Sequence, residues 1–290
     1  MKIAAFIFFI FSCLFPIGTD AFNYPISAES YGLSSGLTAW PYNYSQNPAV
    51  LTFINNQEIS FSHNSWLGDM DGQNLGIILG KKRKNSLEIT KWTIDNFELR
   101  NEVPSKEPLG EFGATFLSAT LSSSVDVGSA KSIGLGYTQY IYSLYDRNVY
   151  GSNIDIGFYM KLNEINFGIA VNNIGIVNNK KEVHSPAISL GSMYHVNKIN
   201  SDIIVDFNAL INESNNQRRA LLTFGAVKYF GYGKIFFSKV FNVWYENEYV
   251  TDFSLGAEIS LDKWKLLYGY QINSSSVLGN PQSIQIVYTF

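Results

Sequence analysis

From Gln57 to the C-terminal Phe290 the chain falls into short segments in which apolar and polar residues alternate, separated by turn residues. Successive strand residues point to opposite faces, so this pattern describes strands with one dry and one wet side. In one segment Phe253, Leu255, Ala257, Ile259 and Leu261 alternate with Asp252, Ser254, Gly256, Glu258 and Ser260. In another, Ile284, Ile286, Tyr288 and Phe290 oppose Ser283, Gln285 and Thr289. About fourteen such strands are read, at 57–65, 73–81, 85–95, 110–123, 131–143, 151–162, 164–174, 186–196, 201–211, 219–229, 233–242, 250–260, 264–273 and 282–290. Most have the nine to eleven residues that a tilted strand needs to cross a bilayer, and an even count puts both ends of the sheet on one side.

The connections sort themselves. Even-to-odd links are mostly short (81–84, 163, 197–200, 231–232, 262–263), and odd-to-even links are mostly longer and polar (96–109, 176–185, 212–218, 243–249). Short periplasmic turns and longer outer loops are the asymmetry of an outer-membrane barrel. A secreted β-sandwich also shows many short alternating strands. Strand length, parity, loop asymmetry and the terminal Phe290 favour an antiparallel transmembrane β-barrel. Composition agrees: charged residues make up 16% of the chain and aromatics 15%, against about 25% charged in soluble proteins. Beyond the N-terminus no apolar run reaches the length of a spanning helix. A net charge of −3 gives no reason to expect a nucleic-acid partner.

Met1-Lys2 followed by the apolar stretch Ile3–Phe15 and by Thr19-Asp20-Ala21 reads as a secretory signal peptide over residues 1–21, cleaved before Phe22. A lipoprotein signal with Cys13 lipidated is the competing reading, although Phe11 and Leu14-Phe15 fit it poorly. Cys13 is the single cysteine, so the chain offers no disulfide or cysteine metal site. Residues 22–56 have no sustained period but contain Tyr24, Tyr31, Trp40, Tyr42 and Tyr44. That aromatic content argues against a disordered tail and for a segment folded into the lumen as a plug ahead of a barrel at 57–290.

Asn47-Pro48-Ala49, followed by Ile59-Ser60-Phe61-Ser62-His63 and Trp66, resembles the opening of the PorV/PorQ family. Asp155-Ile156-Gly157 with Phe167 through Asn172-Asn173-Ile174-Gly175 is similar to the central hairpin of that family, and Gly256-Ala257-Glu258 and Tyr268-Gly269-Tyr270 to its end. The Asn-Pro-Ala element also resembles the wider FadL-like group of fourteen-stranded barrels with an N-terminal hatch. The glycine-rich run expected before it is reduced to Gly32-Leu33-Ser34-Ser35-Gly36. The resemblance implies an outer-membrane barrel, in some members an accessory of type IX secretion that binds secreted proteins or helps attach them to the cell surface. Through the FadL-like group it implies instead a transporter of hydrophobic small molecules. The polar lumen by itself allows a third reading, a passive pore or structural barrel. Partners expected on these readings are outer-membrane lipid, secreted or secretion-machinery proteins, and an apolar small molecule.

Chemistry is sparse. His63 takes the lipid-facing parity near an interface, His184 falls in an outer loop, and His195 takes the inward parity near a periplasmic turn; no spacing joins them. No enzyme is expected. Asp69-Met70-Asp71-Gly72 starts like a calcium loop, but the twelfth position is Gly80 rather than glutamate, so no metal site is expected, and no cofactor. Lys81-Lys82-Arg83-Lys84 reads as a basic periplasmic turn. The candidate motif residues are therefore structural: Asn47, Pro48 and Ala49 pinning the plug to the first strand, and Asn172, Asn173 and Gly175 shaping a turn of the wall.

Overall fold

The alternating segments pair into one sheet that closes on itself. The computed structural model describes residues 24–34, 36–66, 70–81, 83–99, 110–128, 130–144, 147–177, 186–211, 218–244, 251–273 and 279–290. The signal-peptide region, Cys13, Asp69, Lys82 and His184 lie outside the described residues. The strands are β1 (Glu58–Ser65), β2 (Asp71–Leu79), β3 (Lys84–Leu99), β4 (Gly110–Gly128), β5 (Lys131–Leu144), β6 (Arg147–Leu162) and β7 (Ile165–Val177). They continue as β8 (Ala187–Val196), β9 (Ser201–Ile211), β10 (Arg218–Phe230), β11 (Gly233–Trp244), β12 (Thr251–Leu261), β13 (Trp264–Asn273) and β14 (Gln282–Thr289). Each pairs antiparallel with its sequence neighbours, and β1 pairs with β14 from Glu58↔Thr289 to Ser65↔Gln282. The result is a closed fourteen-stranded barrel without a free edge.

Burial follows the parity. In β4 and β5, Leu121, Ile133 and Leu135 face outward at 59%, 46% and 54% exposure, while the inward Ser122 and Ser132 are buried. The outer wall is thus lined with large apolar side chains and the lumen with serine, threonine, asparagine and glycine. An apolar surface of this extent is unsuited to water and is the surface that a bilayer requires of a barrel. Trp264, Tyr288 and Phe290 form an aromatic contact chain at the end where the barrel starts and finishes, with ring centroids 4.7 and 6.4 Å apart. Aromatic rings at that level suit a membrane interface. No described helix is long and apolar enough to cross a membrane.

The turns at this end, hereafter the inner end, are tight. Asn163, Asn200 and Asp262 take φ of 51°, 45° and 53°, a left-handed geometry that asparagine and aspartate tolerate. Ala130, at φ 63°, has no such excuse.

Strand ends agree with the sequence reading to within two residues, except in β3, β4, β6 and β7, which run three to five residues further. β3, β6 and β7 extend at the outer end. Alternation is legible only where one face meets lipid, and beyond the bilayer both faces are wet. β4 extends at the inner end past the serine run Ser122-Ser123-Ser124 to Gly128. That run has the composition of a turn, but Ser124 faces inward and its hydroxyl donates to the Ala49 carbonyl at 3.0 Å.

Candidate functional site in the barrel lumen

Residues 24–56 pack within the lumen, and their backbone polar groups are met by wall side chains rather than by a ladder. Ser27 caps the short helix α1 (Ala28–Gly32), its hydroxyl accepting from Ser30 N. Ala28 N donates to Gln285 Oε1 at 3.1 Å, and Ser62 Oγ donates to the Ile26 carbonyl at 2.6 Å, which ties α1 to β14 and β1. The helix lies so close to β13 that a Cβ on Gly269 would sit 2.2 Å from the Ala28 carbonyl oxygen. Across the lumen, Asp206 on β9 accepts from Thr38 N and Thr38 Oγ1 at 2.9 and 3.1 Å. The Thr38 backbone reaches it over Gly168 and Gly191, where side chains would collide with it.

The Asn-Pro-Ala element opens a 3-10 helix, Pro48–Phe53. Asn47 Oδ1 accepts from Ala49 N at 3.1 Å, and its Nδ2 donates to the carbonyls of Thr38 and Phe158 at 2.8 and 3.1 Å. The Ala49 carbonyl accepts from Ser124 and Ser132. A Cβ on Gly157 would lie 2.0 Å from Asn47 Oδ1. These contacts fall on β4, β5 and β6, which corrects the expectation that the element meets the first strand. Asn172 and Asn173 do not shape a turn either. They sit at a register irregularity in β7 opposite β6, with Asn173 at φ 61°. Asn172 Nδ2 donates to the Gln46 carbonyl at 3.0 Å, and Asn173 N donates to Asp155 Oδ1 at 2.7 Å. Gly175 pairs with Asn153 in the register beside them.

The lumen on the two sides of this segment differs. Towards the outer end, Trp92, Phe116 and Tyr140 are buried together on β3, β4 and β5, with Tyr24, Ile26, Trp66, Met70 and Tyr142 packed against them. Tyr24 lies 5.4 Å from Trp66 and 5.6 Å from Trp92, and Phe116 stacks on Tyr140 at 5.8 Å. Gly72 and Gly151 leave room for the Trp92 and Tyr140 rings. Sequence reasoning missed this cluster because it treated the inward parity as uniformly polar. The available signal was Trp92, Phe116, Tyr140 and Tyr142 standing on the same parity as Thr90, Ser118 and Thr138.

Towards the inner end a cavity of about 180 Å³ opens between the segment and the wall. Glu29, Glu58, Glu88, Glu258, Lys234 and Lys265 line it, with Tyr42, Tyr44 and Phe53. Lys234 on β11 bridges Glu29 of α1 at 3.0 Å and Glu258 of β12 at 2.8 Å, all three buried. Its ammonium also lies 5.3, 4.8 and 5.2 Å from the ring centres of Trp40, Tyr42 and Phe236. Lys265 pairs with Glu58 at 2.8 Å. The basic turn contributes here as well: Lys84 Nζ donates to the carbonyls of Asn55 and Asn56 at 3.2 and 3.3 Å, holding the exit of the segment. Sequence reading passed over Lys234 and Glu29, whose pairing spans some two hundred residues.

The two described histidines, His63 and His195, stay apart. His63 faces outward, 4.0 Å from Asp71. His195 Nδ1 meets Asp202 Oδ1 at 2.5 Å, and the other oxygen of Asp202 accepts from Tyr229. That arrangement orients the imidazole beside the Tyr229 ring, 6.3 Å away. Among the described residues no group of three metal-ligating side chains converges.

No protein-family model matches the chain. No curated protein sequence matches it either. Solved structures do. The toluene transporter TodX of Pseudomonas putida superposes with a TM-score of 0.61 at 11% identity, covering 96% of this chain and 95% of that one. The monoaromatic hydrocarbon channel CymD gives 0.64 at 11% identity over 91% and 97%. A FadL homologue of Pseudomonas aeruginosa gives 0.58 at 10% over 92% and 98%. At these identities the likeness is one of fold: the chain has the fold of these barrels.

Proposed function

We propose that the protein is an outer-membrane channel for apolar small molecules, with residues 24–56 as its plug and residues 1–21 as a cleaved export signal. The observation that carries this reading is the aromatic cluster around Trp92, Phe116 and Tyr140. Aromatic side chains on the water-facing parity of a barrel are exposed to solvent unless something apolar covers them, and offset and edge-to-face rings present flat faces to an aromatic or aliphatic guest. The structural relatives named above include channels and transporters of toluene and other monoaromatic hydrocarbons, and such compounds have the size and polarity this cluster suits. The cavity between plug and wall at the inner end is charged, and the aromatic cluster lies towards the outer end.

The route then runs from the aromatic cluster towards the charged inner cavity, and the plug seated on Asp206, Lys234 and the Asn47 contacts closes it. A passive pore is disfavoured by that seating, which buries large side chains such as Tyr31 and Trp40 inside the wall. The secretion-accessory role implied by the PorV/PorQ resemblance is not what the solved relatives do. It returns to the front if secreted proteins copurify with the barrel in stoichiometric amounts. The direct test is uptake of radiolabelled toluene by cells that lack the protein, complemented with wild type or with the Trp92→Ala/Phe116→Ala pair. Uptake restored by wild type and not by the pair is expected. Equal uptake with and without the protein overturns the reading.

A further inference from the structure

The lipid-facing wall carries few charges between its two rims, and they are not equivalent. Lys228 faces outward near the inner end, where its ammonium donates to the Ile199 carbonyl in the neighbouring turn. Lys131 opens β5 at the inner end, and Lys91 stands midway along β3 with Gln73 and Leu117 as its cross-strand partners. Lys239 is different. It takes the outward parity of β11 between Phe237 and Phe241, and its cross-strand partners are Phe224 on β10 and Phe253 on β12. All four rings are exposed on the barrel surface. They touch in pairs, Phe224 with Phe241 at 5.8 Å and Phe237 with Phe253 at 6.1 Å. The ammonium sits 4.4 Å from the centre of Phe253 and 5.2 Å from that of Phe241. Among the described residues Lys239 has no carboxylate or carbonyl partner.

Lys239 stands six residues above the start of β11. With a rise of about 3.3 Å per residue and a tilt of about 40°, that places it about 15 Å above the inner turn, in the outer half of an apolar band about 25 Å tall. A lysine near the middle of that band is costly, by about 2–4 kcal/mol, and the cost falls towards the interfaces. Two ring faces offset part of it. The remainder calls for an anion, and the anion that a bilayer presents on this side is a lipid phosphate, whose acyl chains then lie against Ile235, Phe237 and Leu255 below.

Resting on the reading that the barrel spans the outer membrane, we infer that Lys239 and its collar of Phe224, Phe237, Phe241 and Phe253 form a docking site for a phosphorylated lipid of the outer leaflet. The ammonium binds the phosphate from below, and the rings hold it at fixed height while covering the first carbons of the chains. The site is on the outside of the wall and is separate from the lumen.

Purified barrel in a mild non-ionic detergent is titrated with a bis-phosphorylated lipid A and with its dephosphorylated form, and bound lipid is counted by native mass spectrometry. Wild type is expected to hold one phosphorylated molecule, Lys239→Arg to hold it as well, and Lys239→Leu to bind it at least about tenfold more weakly, about 1.4 kcal/mol. The heat-dependent gel shift of a folded barrel checks each variant. Equal retention of the dephosphorylated lipid by wild type, or unchanged retention by folded Lys239→Leu, overturns the site, as does an acidic protein copurifying in place of lipid. Flotation of wild type with liposomes is read separately. A barrel that fails to float rejects the membrane reading, whereas one that floats without selective lipid retention rejects only the docking site.

Discussion

The two ends of the lumen are built from the same strands and do opposite things. In the outer half, β3, β4 and β5 turn Trp92, Phe116 and Tyr140 inward into an apolar cluster. In the inner half, β11, β12, β13 and α1 bring Lys234, Lys265, Glu258 and Glu29 around one small cavity. Packing in the first is apolar, the rings of Trp92, Phe116 and Tyr140 being buried against Tyr24, Ile26, Trp66 and Met70. Packing in the second is set by charge pairing, and its partners come from both the wall and the plug. One half is suited to recognition and the other to closure, and the division predicts which substitutions disturb which property.

The largest effect is expected at Lys234. Lys234→Met leaves Glu29 and Glu258 buried close together without their cation, and breaking such a pair costs about 3–5 kcal/mol. The plug should loosen, which planar-bilayer recordings would register as a steep rise in conductance. Methylammonium added to Lys234→Ala should lower the conductance again by occupying the space between the carboxylates and the Trp40, Tyr42 and Phe236 rings. A closed Lys234→Met barrel would break the assignment of closure to the inner half. Next comes Trp92→Ala. Removing a buried aromatic costs about 3–5 kcal/mol when its surroundings do not relax, and here Tyr24 and Trp66, packed beside it, should absorb part of that. Affinity for a monoaromatic ligand is expected to fall at least about tenfold while conductance stays at the wild-type level, measured on the same preparation.

Gly157→Ala sharpens the comparison from the middle of the lumen. Its new methyl meets Asn47 Oδ1, and overpacking of this kind costs about 1–3 kcal/mol. Faster chymotrypsin cleavage within residues 24–56, with the wall intact, is the expected readout. The smallest effect is Ala130→Gly in the β4–β5 turn, where φ is positive. Relief of that geometry should stabilise the barrel by about 0.5–1 kcal/mol without altering conductance or ligand binding, which a urea unfolding series with both functional assays would show.

The wall was far more legible than what it encloses. A strand between lipid and water must alternate, so β8, β12 and β14 can be read residue by residue, and β4 was cut short at Ser123, inside the serine run that ends at Ser124. Inside, no solvent boundary imposes a pattern. Residues 24–56 satisfy their backbone through Asp206, Ser62, Ser124 and Ser132, side chains from four distant strands, so their arrangement has no local periodicity to find. Asn47 could be singled out, but not its partners on β6, and a first-strand contact was the wrong guess for that reason. Glu29 and Lys234 carry no motif at all. The aromatic cluster was within reach, since Trp92 and Phe116 break the parity of their own strands.

The central claim is that the outer half of the lumen recognises an apolar guest independently of the inner half. Isothermal titration of toluene into purified wild type, the Trp92→Ala/Phe116→Ala pair and Lys234→Met tests it most directly. The account predicts saturable one-site binding to wild type and to Lys234→Met, and none to the aromatic pair. No saturable binding to wild type, or binding that survives loss of both rings, would contradict it.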